Sequence, residues 1–269
     1  MPQPILVGAV AYTANVVPIW ESIREYFRGS DAEMDFVLYS NYERQVDSLL
    51  AGHIDIAWNT NLAWVRTSAR TEGGCRALAM RDVDAAFRTV LVSRAGSGFT
   101  GLESLRGKRL ALGSQDSAHA AILPLYFLAH AGLEDEVDII RFNTDVGKHG
   151  DTGRSELDAI RAVLDEDAEA AALGITTWES IGRDQLMPGA LEEFWTSPHY
   201  SHCNFTALPS FDEQRGQRWV RHLMAMSWEV PEQRRIMELE GLREWVPPRL
   251  EGYRSLFEAV EEQKLSMRW

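Results

Sequence analysis

Cysteine is scarce in this chain: only Cys75 and Cys203 occur, far apart and in no C-x-x-C pairing. That excludes a disulfide framework and a standard structural zinc site, and leaves two free thiols as the plain expectation. Basic charge is short as well. Forty Asp and Glu stand against 27 Lys and Arg, a net charge of −13. Nucleic-acid and anionic-membrane surfaces need clustered Lys and Arg, so neither partner is expected. A small anion remains compatible, because a few local N–H donors hold one inside an acidic protein. No apolar run approaches the roughly 18 residues of a membrane span, so no membrane insertion is expected. Enzyme signatures are missing too: there is no G-x-S-x-G, P-loop, G-x-G-x-x-G or H-E-x-x-H. Val146-Gly-Lys148 is not a Walker motif, and no cofactor or metal is implied.

What is present fits a globular protein of two parts. The 269 residues are 45% hydrophobic and 25% charged, enough apolar material for two cores of roughly 100–150 residues each. Met1-Pro-Gln-Pro4 runs straight into Ile5–Val10 without a basic n-region, an apolar h-region or a small-residue cleavage site. The expected location is therefore cytoplasmic, or periplasmic if a leader has been removed.

Strand-like and helix-like stretches alternate. Ile5–Val10, Met34–Tyr39 and Ile54–Trp58 read as strands; Ile19–Phe27 and Glu43–Ala51 carry apolar residues at helical intervals, the second stopped by Gly52. The order β-α-β-α-β implies a mainly parallel sheet covered by helices. Further strands are expected at Phe87–Ser93, Arg109–Leu112, Val137–Phe142, Ala168–Leu173 and Phe205–Leu208. Helices are expected at Ala118–Ala131, Leu157–Leu164, Gln214–Trp228 and Leu250–Glu262. No internal repeat stands out.

Four segments carry a family resemblance: Leu50-Ala-Gly-His-Ile-Asp-Ile-Ala-Trp58, Ser104-Leu-Arg-Gly-Lys-Arg-Leu-Ala-Leu-Gly113, the loop and helix start Ser114–Pro124, and the run from Trp245-Val-Pro247 to Tyr253. In their order and spacing these resemble the phosphate/phosphite/phosphonate substrate-binding proteins of ABC transporters. The resemblance implies an α/β, two-lobed type 2 periplasmic-binding-protein-like fold. Each lobe would be a mainly parallel sheet flanked by helices. Lobe one would be residues 1–91 plus 207–269 and lobe two 92–206, with Phe87–Ser93 and Phe205–Leu208 as crossing hinge strands. The ligand would sit in the cleft between the lobes, at strand carboxyl ends and helix N-termini.

The loop Ser114-Gln-Asp-Ser-Ala-His119 follows a strand and opens a helix, where N–H groups and the helix dipole favour an anion. Ser114, Asp116, Ser117, Ala118 and His119 are ligand candidates; the plainer reading is that Asp116 or Ser117 only caps the helix. In the resembling family the loop reads S-T-S-G-x-x-x-P. Counting back from Pro124, this chain reads Ser117-Ala118-His119-Ala120, so two hydroxyls are missing and a carboxylate or other planar anion is as good a ligand as a phosphonate. Trp58, Asn59, Thr60 and Asn61 follow the acidic strand. They either offer neutral donors and an aromatic wall, or form an Asx turn and core. Tyr12 aligns with a family cleft position. His199-Tyr-Ser-His202-Cys203 precedes the return strand. Its spacing fits no standard zinc pattern, leaving His202 as a polar cleft contact or a surface residue. In the Gly-rich stretch 145–155, His149 matches a family histidine and Arg154 is a candidate cation, against a solvated loop.

The first functional expectation is a binding protein for a small anionic or zwitterionic organic ligand, with a transporter permease as partner if exported. The alternative is a cytosolic lyase- or decarboxylase-type enzyme on the same fold, with His119 and His202 as acid/base and Cys203 as a lesser member. A cytosolic ligand sensor is a third reading. Fold alone does not choose among them.

Overall fold

The computed structural model describes residues 3–183 and 189–267. By its contacts the chain divides into two units. Unit 1 comprises Met1–Ala86, Tyr200–Arg254 and Ser266–Trp269; unit 2 comprises Phe87–His199 and Ser255–Leu265. The sequence reading placed these changeovers at 91/92 and 206/207 and kept the whole C-terminal stretch in lobe one.

Unit 1 is built on a six-stranded sheet. Its strands are β1 (Ile5–Val10), β2 (Met34–Tyr39), β3 (Ile56–Asn59), β4 (Arg76–Arg81), β10 (Asn204–Ala207) and β11 (Trp245–Val246), in the order β11-β4-β10-β3-β1-β2. β1 is parallel to β2 and β3, while β10 is antiparallel to both β3 and β4. Strands β1 to β4 therefore share one direction, and β10 runs against them. The first helix, Val16–Phe27, starts three residues before the expected Ile19. It turns Val16, Ile19, Trp20, Ile23 and Phe27 inward at helical spacing. Phe27 stacks on Trp219 at 5.5 Å, and Phe205 meets Trp219 at 4.7 Å and Trp58 at 4.6 Å. These rings bury a large apolar area at low entropic cost, and truncating a fully buried one costs about 3–5 kcal/mol.

Unit 2 holds β5 (Thr89–Arg94), β6 (Arg109–Leu112), β7 (Asp138–Arg141), β8 (Ala170–Gly174) and β9 (Leu191–Thr196), in the order β7-β6-β8-β5-β9. β6 is parallel to β7 and β8; β5 is antiparallel to β8 and β9. Both faces are covered. Val90, Val92, Ala111, Ala171 and Leu173 enter one core with the helix Arg154–Leu164. Leu91, Leu110, Leu112, Ala170 and Ala172 enter the other, with the helix Leu123–His130. This two-sided burial explains why β8 reads as an unbroken apolar run instead of an alternating one.

The helix Arg254–Glu262 belongs with unit 2. Tyr126 Oη donates to Glu258 Oε2 at 2.7 Å, His130 Nε2 lies 3.1 Å from Glu262 Oε1, and Gln263 Nε2 donates to the Ile122 carbonyl at 2.8 Å. No described helix is long and apolar enough to cross a membrane.

Candidate functional site

In unit 2 the parallel strands β6, β7 and β8 deliver their carboxyl ends to one edge of the sheet. After each, the chain enters a helix, at Ala118, Arg154 and Ile175 respectively. Three helix starts thus share an edge that presents N–H groups and positive dipole ends.

The first of these starts is wound wider than an α-helix, and the cause is local. Ile122 N–H bonds the Ser117 carbonyl and Leu123 N–H the Ala118 carbonyl, a π-type spacing over Ala118–Ile122. Leu123 therefore does not bond the His119 carbonyl, and Thr89 Oγ1 donates to that oxygen at 3.0 Å. Pro124 has no N–H to give the Ala120 carbonyl, and Gly113 N–H takes that place at 3.0 Å. The widened turn is thereby tied to β5 and to the end of β6. Position 113 has no space for a side chain: a Cβ there would stand 2.8 Å from Ala120 Cβ and 2.9 Å from Ser155 Oγ.

Ser117 caps the helix, its Oγ accepting from Ala120 N–H at 3.1 Å. Ser114 Oγ accepts from Asp145 N–H at 3.3 Å. Asp116, 7% exposed, accepts from Gly147 N–H at 2.5 Å through Oδ2, which lies 4.0 Å from His149 Nε2. The His119 ring is buried beside Phe87, ring centroids 5.6 Å apart, with Nε2 at 3.6 Å from Glu156 Oε2. Glu156 is buried as well. It accepts from Gly174 N–H at 2.5 Å and from Thr177 Oγ1 at 2.8 Å. Burial presses the imidazole toward its neutral form, but the charge and hydrogen bond of Glu156, with Asp151 beyond, outweigh it and raise its pKa above the usual value. Gly150 closes over Ser117 and His119 at φ 90°, where a Cβ would fall 2.4 Å from Ser117 Oγ and 2.7 Å from His119 Nε2. Ser114, Asp116, Ser117, Ala118 and His119 are thus brought together, and His149 joins them. Arg154 opens the second helix, its Nη1 3.9 Å from Asp145 Oδ1. Glu156, Gly150 and Gly174 are central residues that sequence reasoning passed over.

The unit 1 candidates sit in a buried hydrogen-bonded chain. Asn59 Oδ1 accepts from Gln45 Nε2 at 2.9 Å, and Asn59 Nδ2 donates to Thr206 Oγ1 at 3.0 Å. Thr206 continues to Asn204 at 2.8 Å, Asn204 to Tyr253 Oη at 2.8 Å, and Tyr253 to the His202 carbonyl at 3.1 Å. Thr60 caps the helix Asn61–Arg70, its Oγ1 accepting from Ala63 N–H at 3.2 Å, and Asn61 accepts from Leu62 N–H at 2.9 Å. Trp58 is a core ring, with the Arg81 guanidinium 5.3 Å over it. Tyr12 packs against the same core half-buried.

His202 is buried, not a surface residue. Its Nδ1 lies 3.2 Å from Asp84 Oδ1 and 3.1 Å from Cys203 Sγ. Burial would raise the Asp84 pKa, but the charge of Arg81 and hydrogen bonds from His202 and Arg81 outweigh it and hold the carboxyl at about 2. Three potential metal-ligating atoms, from Asp84, His202 and Cys203, lie within 4.8 Å of one another. The Arg81 guanidinium already grips Asp84, at 2.5 and 3.1 Å, which is poor company for a second cation. His119 and His202 thus lie in different units, each beside its own carboxylate.

Comparison with known proteins agrees with this architecture. The model of the family described as "ABC transporter, phosphonate, periplasmic substrate-binding protein" matches residues 10–253. A probable ABC transporter phosphite binding protein, PhnD1 of Prochlorococcus marinus (strain MIT 9301), is 26% identical over 211 residues, covering 76% of this chain and 68% of that protein. The solved structure of PhnD1 in complex with methylphosphonate superposes with a TM-score of 0.75 at 20% identity, over 98% of this chain and 99% of that one. The periplasmic aliphatic sulphonate binding protein SsuA of Escherichia coli superposes with a TM-score of 0.66 at 14% identity, over 98% and 94%. At such identities these structures establish the fold, a two-lobed type 2 periplasmic-binding-protein fold. The enzyme alternative built on His119 and His202 gains no support from any of these matches. The chain belongs to the family of phosphonate substrate-binding proteins of ABC transporters.

Proposed function

We propose that the chain binds a small anionic or zwitterionic organic ligand, whose negative end rests on the N–H groups opening the helix at Ala118. The observation that carries this reading is the widened helix start. Ser117, the anchored carbonyls of His119 and Ala120, and the Gly113 and Gly150 close approaches fix those amides in place. Donors held rigid before the ligand arrives lose little entropy on binding. A phosphonate, a phosphite and a sulphonate all present such an end, and those are the ligand classes of the related proteins named above. His119 lies buried beneath the same turn beside Glu156, whose charge and hydrogen bond raise its pKa against the effect of burial. The family description is periplasmic. On that ground the chain works in the periplasm, with an ABC permease as the partner that receives the ligand.

Isothermal titration with a panel of methylphosphonate, phosphite, methanesulphonate and acetate tests the proposal. At least one anion is expected to bind, and Ser117→Ala to weaken it by about tenfold or more, the value of a lost hydrogen bond to a charged group. Loss of the cap should also lower stability by about 1 kcal/mol. No binding across the panel, or equal affinity in Ser117→Ala, would contradict the reading.

A further inference from the structure

Two of the chain's own carboxylates already occupy donors at the edge of unit 2. Asp116 takes the Gly147 amide at 2.5 Å, with His149 Nε2 4.0 Å away. Glu156 takes the Gly174 amide, the Thr177 hydroxyl and the side of His119. The two differ in depth: Glu156 is 1% exposed, whereas Asp116 is 7% exposed and sits within the loop that precedes the Ser117 cap. A ligand resting on the Ala118 helix start has Asp116 as a neighbour two residues back along the chain. The family's hydroxyl-rich loop starts one residue later, at Ser117, and its hydroxyls donate to anionic oxygens. Asp116, immediately before that loop, brings a carboxylate, which accepts hydrogen bonds and donates none.

We propose that Asp116 is a specificity-determining residue: its carboxylate fills the place of one anionic oxygen on the unit 2 donors, so the site takes a singly charged anion in preference to a doubly charged one. The inference rests on the binding site described under Proposed function and adds the ligand's charge to it. The physical cause is Coulombic. A second negative charge on the ligand meets Asp116 at short range, in partly desolvated surroundings where one unit charge alters affinity by about tenfold or more. A repulsive element of this kind is what lets an acidic protein discriminate among small anions of similar shape, since attractive contacts alone do not.

The test compares methylphosphonate, at a pH where it carries two charges, with its monomethyl ester, which carries only one. Isothermal titration is run on the unsubstituted chain and on Asp116→Asn. Asparagine keeps an acceptor for the Gly147 amide and removes only the charge. The unsubstituted chain is expected to bind the ester about tenfold or more tighter. Asp116→Asn is expected to lose or reverse that preference, mainly by tightening the dianion. The ester's extra bulk is the same for both proteins, so the change in the ratio reports charge alone. Asp116→Ser, which replaces the carboxylate by a neutral hydroxyl, serves as the second variant and should shift the ratio in the same direction. A preference for the dianion in the unsubstituted chain, or a ratio unchanged in both variants, overturns the inference while leaving the binding function standing. Failure of either anion to bind any of the three proteins sinks the binding site itself and this inference with it.

Discussion

Asp84 is fully enclosed, and enclosure alone would favour its neutral form; Arg81 and His202 reverse this and hold its pKa at about 2. A carboxyl depressed in the folded chain contributes stability that is present above its unfolded pKa of about 3.9 and is lost as pH falls through the folded value. Between about pH 4 and about pH 2 this contribution, roughly 2 kcal/mol, should disappear. Asp84→Asn leaves the largely buried Arg81 cation beside a neutral amide, with only Glu240 Oε2 at 3.7 Å to offset it, and should cost about 3 kcal/mol at neutral pH. Urea denaturation across the acid range checks both statements. The stability gap between the two proteins should narrow by roughly 2 kcal/mol as pH falls, and a gap independent of pH would contradict the assignment. Residue-level legibility was uneven for reasons visible here. Ser117 as a cap and Pro124 as the residue that frees a carbonyl are local properties, readable from a short stretch. The pairing of His202 with Asp84 joins positions 118 residues apart, and nothing in either neighbourhood announces the other. Glu156 reads as an ordinary acidic residue in a first helical turn. Its work on Gly174 and His119 exists only once three segments meet. Asn59, offered by the sequence as a ligand donor, has its side chain engaged by Gln45, Thr67 and Thr206.

The segment between β7 and the helix Arg154–Leu164 looked like a solvated, Gly-rich loop, yet Gly147, His149 and Gly150 within it are buried. Gly150 lies at φ 90°, a backbone region open to glycine and strained for any other residue. Gly150→Ala combines that strain with a clash against Ser117 Oγ and the His119 ring. It should cost about 2 kcal/mol or more in denaturant unfolding and abolish anion binding. Unchanged unfolding and binding would show that the segment does not seat on the helix start. Elements whose pattern agrees with their surroundings were legible: β1, β2 and β6 fall on the expected residues, and the Ala118–His130 helix lacks only its last expected residue. The misses have a common cause. In β9 the sequence Leu-Glu-Glu-Phe-Trp-Thr puts two acids side by side at a sheet edge, and β4 begins and ends on arginine. The helix Asn61–Arg70 buries Asn61 and Thr67, so polar residues occupy the inward face where apolar ones are sought.

At the scale of the molecule, both units follow one plan: second strand, first, third, an opposed strand, then the fourth. No repeat is visible in the sequence. Short right-handed βαβ connections and two-faced burial suffice to produce the same order from unrelated residues. The net charge of −13 repels an anion in general, so affinity must come from a few local donors, as at the Ala118 helix start. The measurement that bears most directly on this is an amide-resolved NMR titration of the unsubstituted chain with a singly charged phosphonate. The account predicts saturable shifts that are largest at the amides of Ala118 and His119, since the Ala120 N–H is held by the Ser117 cap. Saturable binding that leaves those amides unmoved would contradict it.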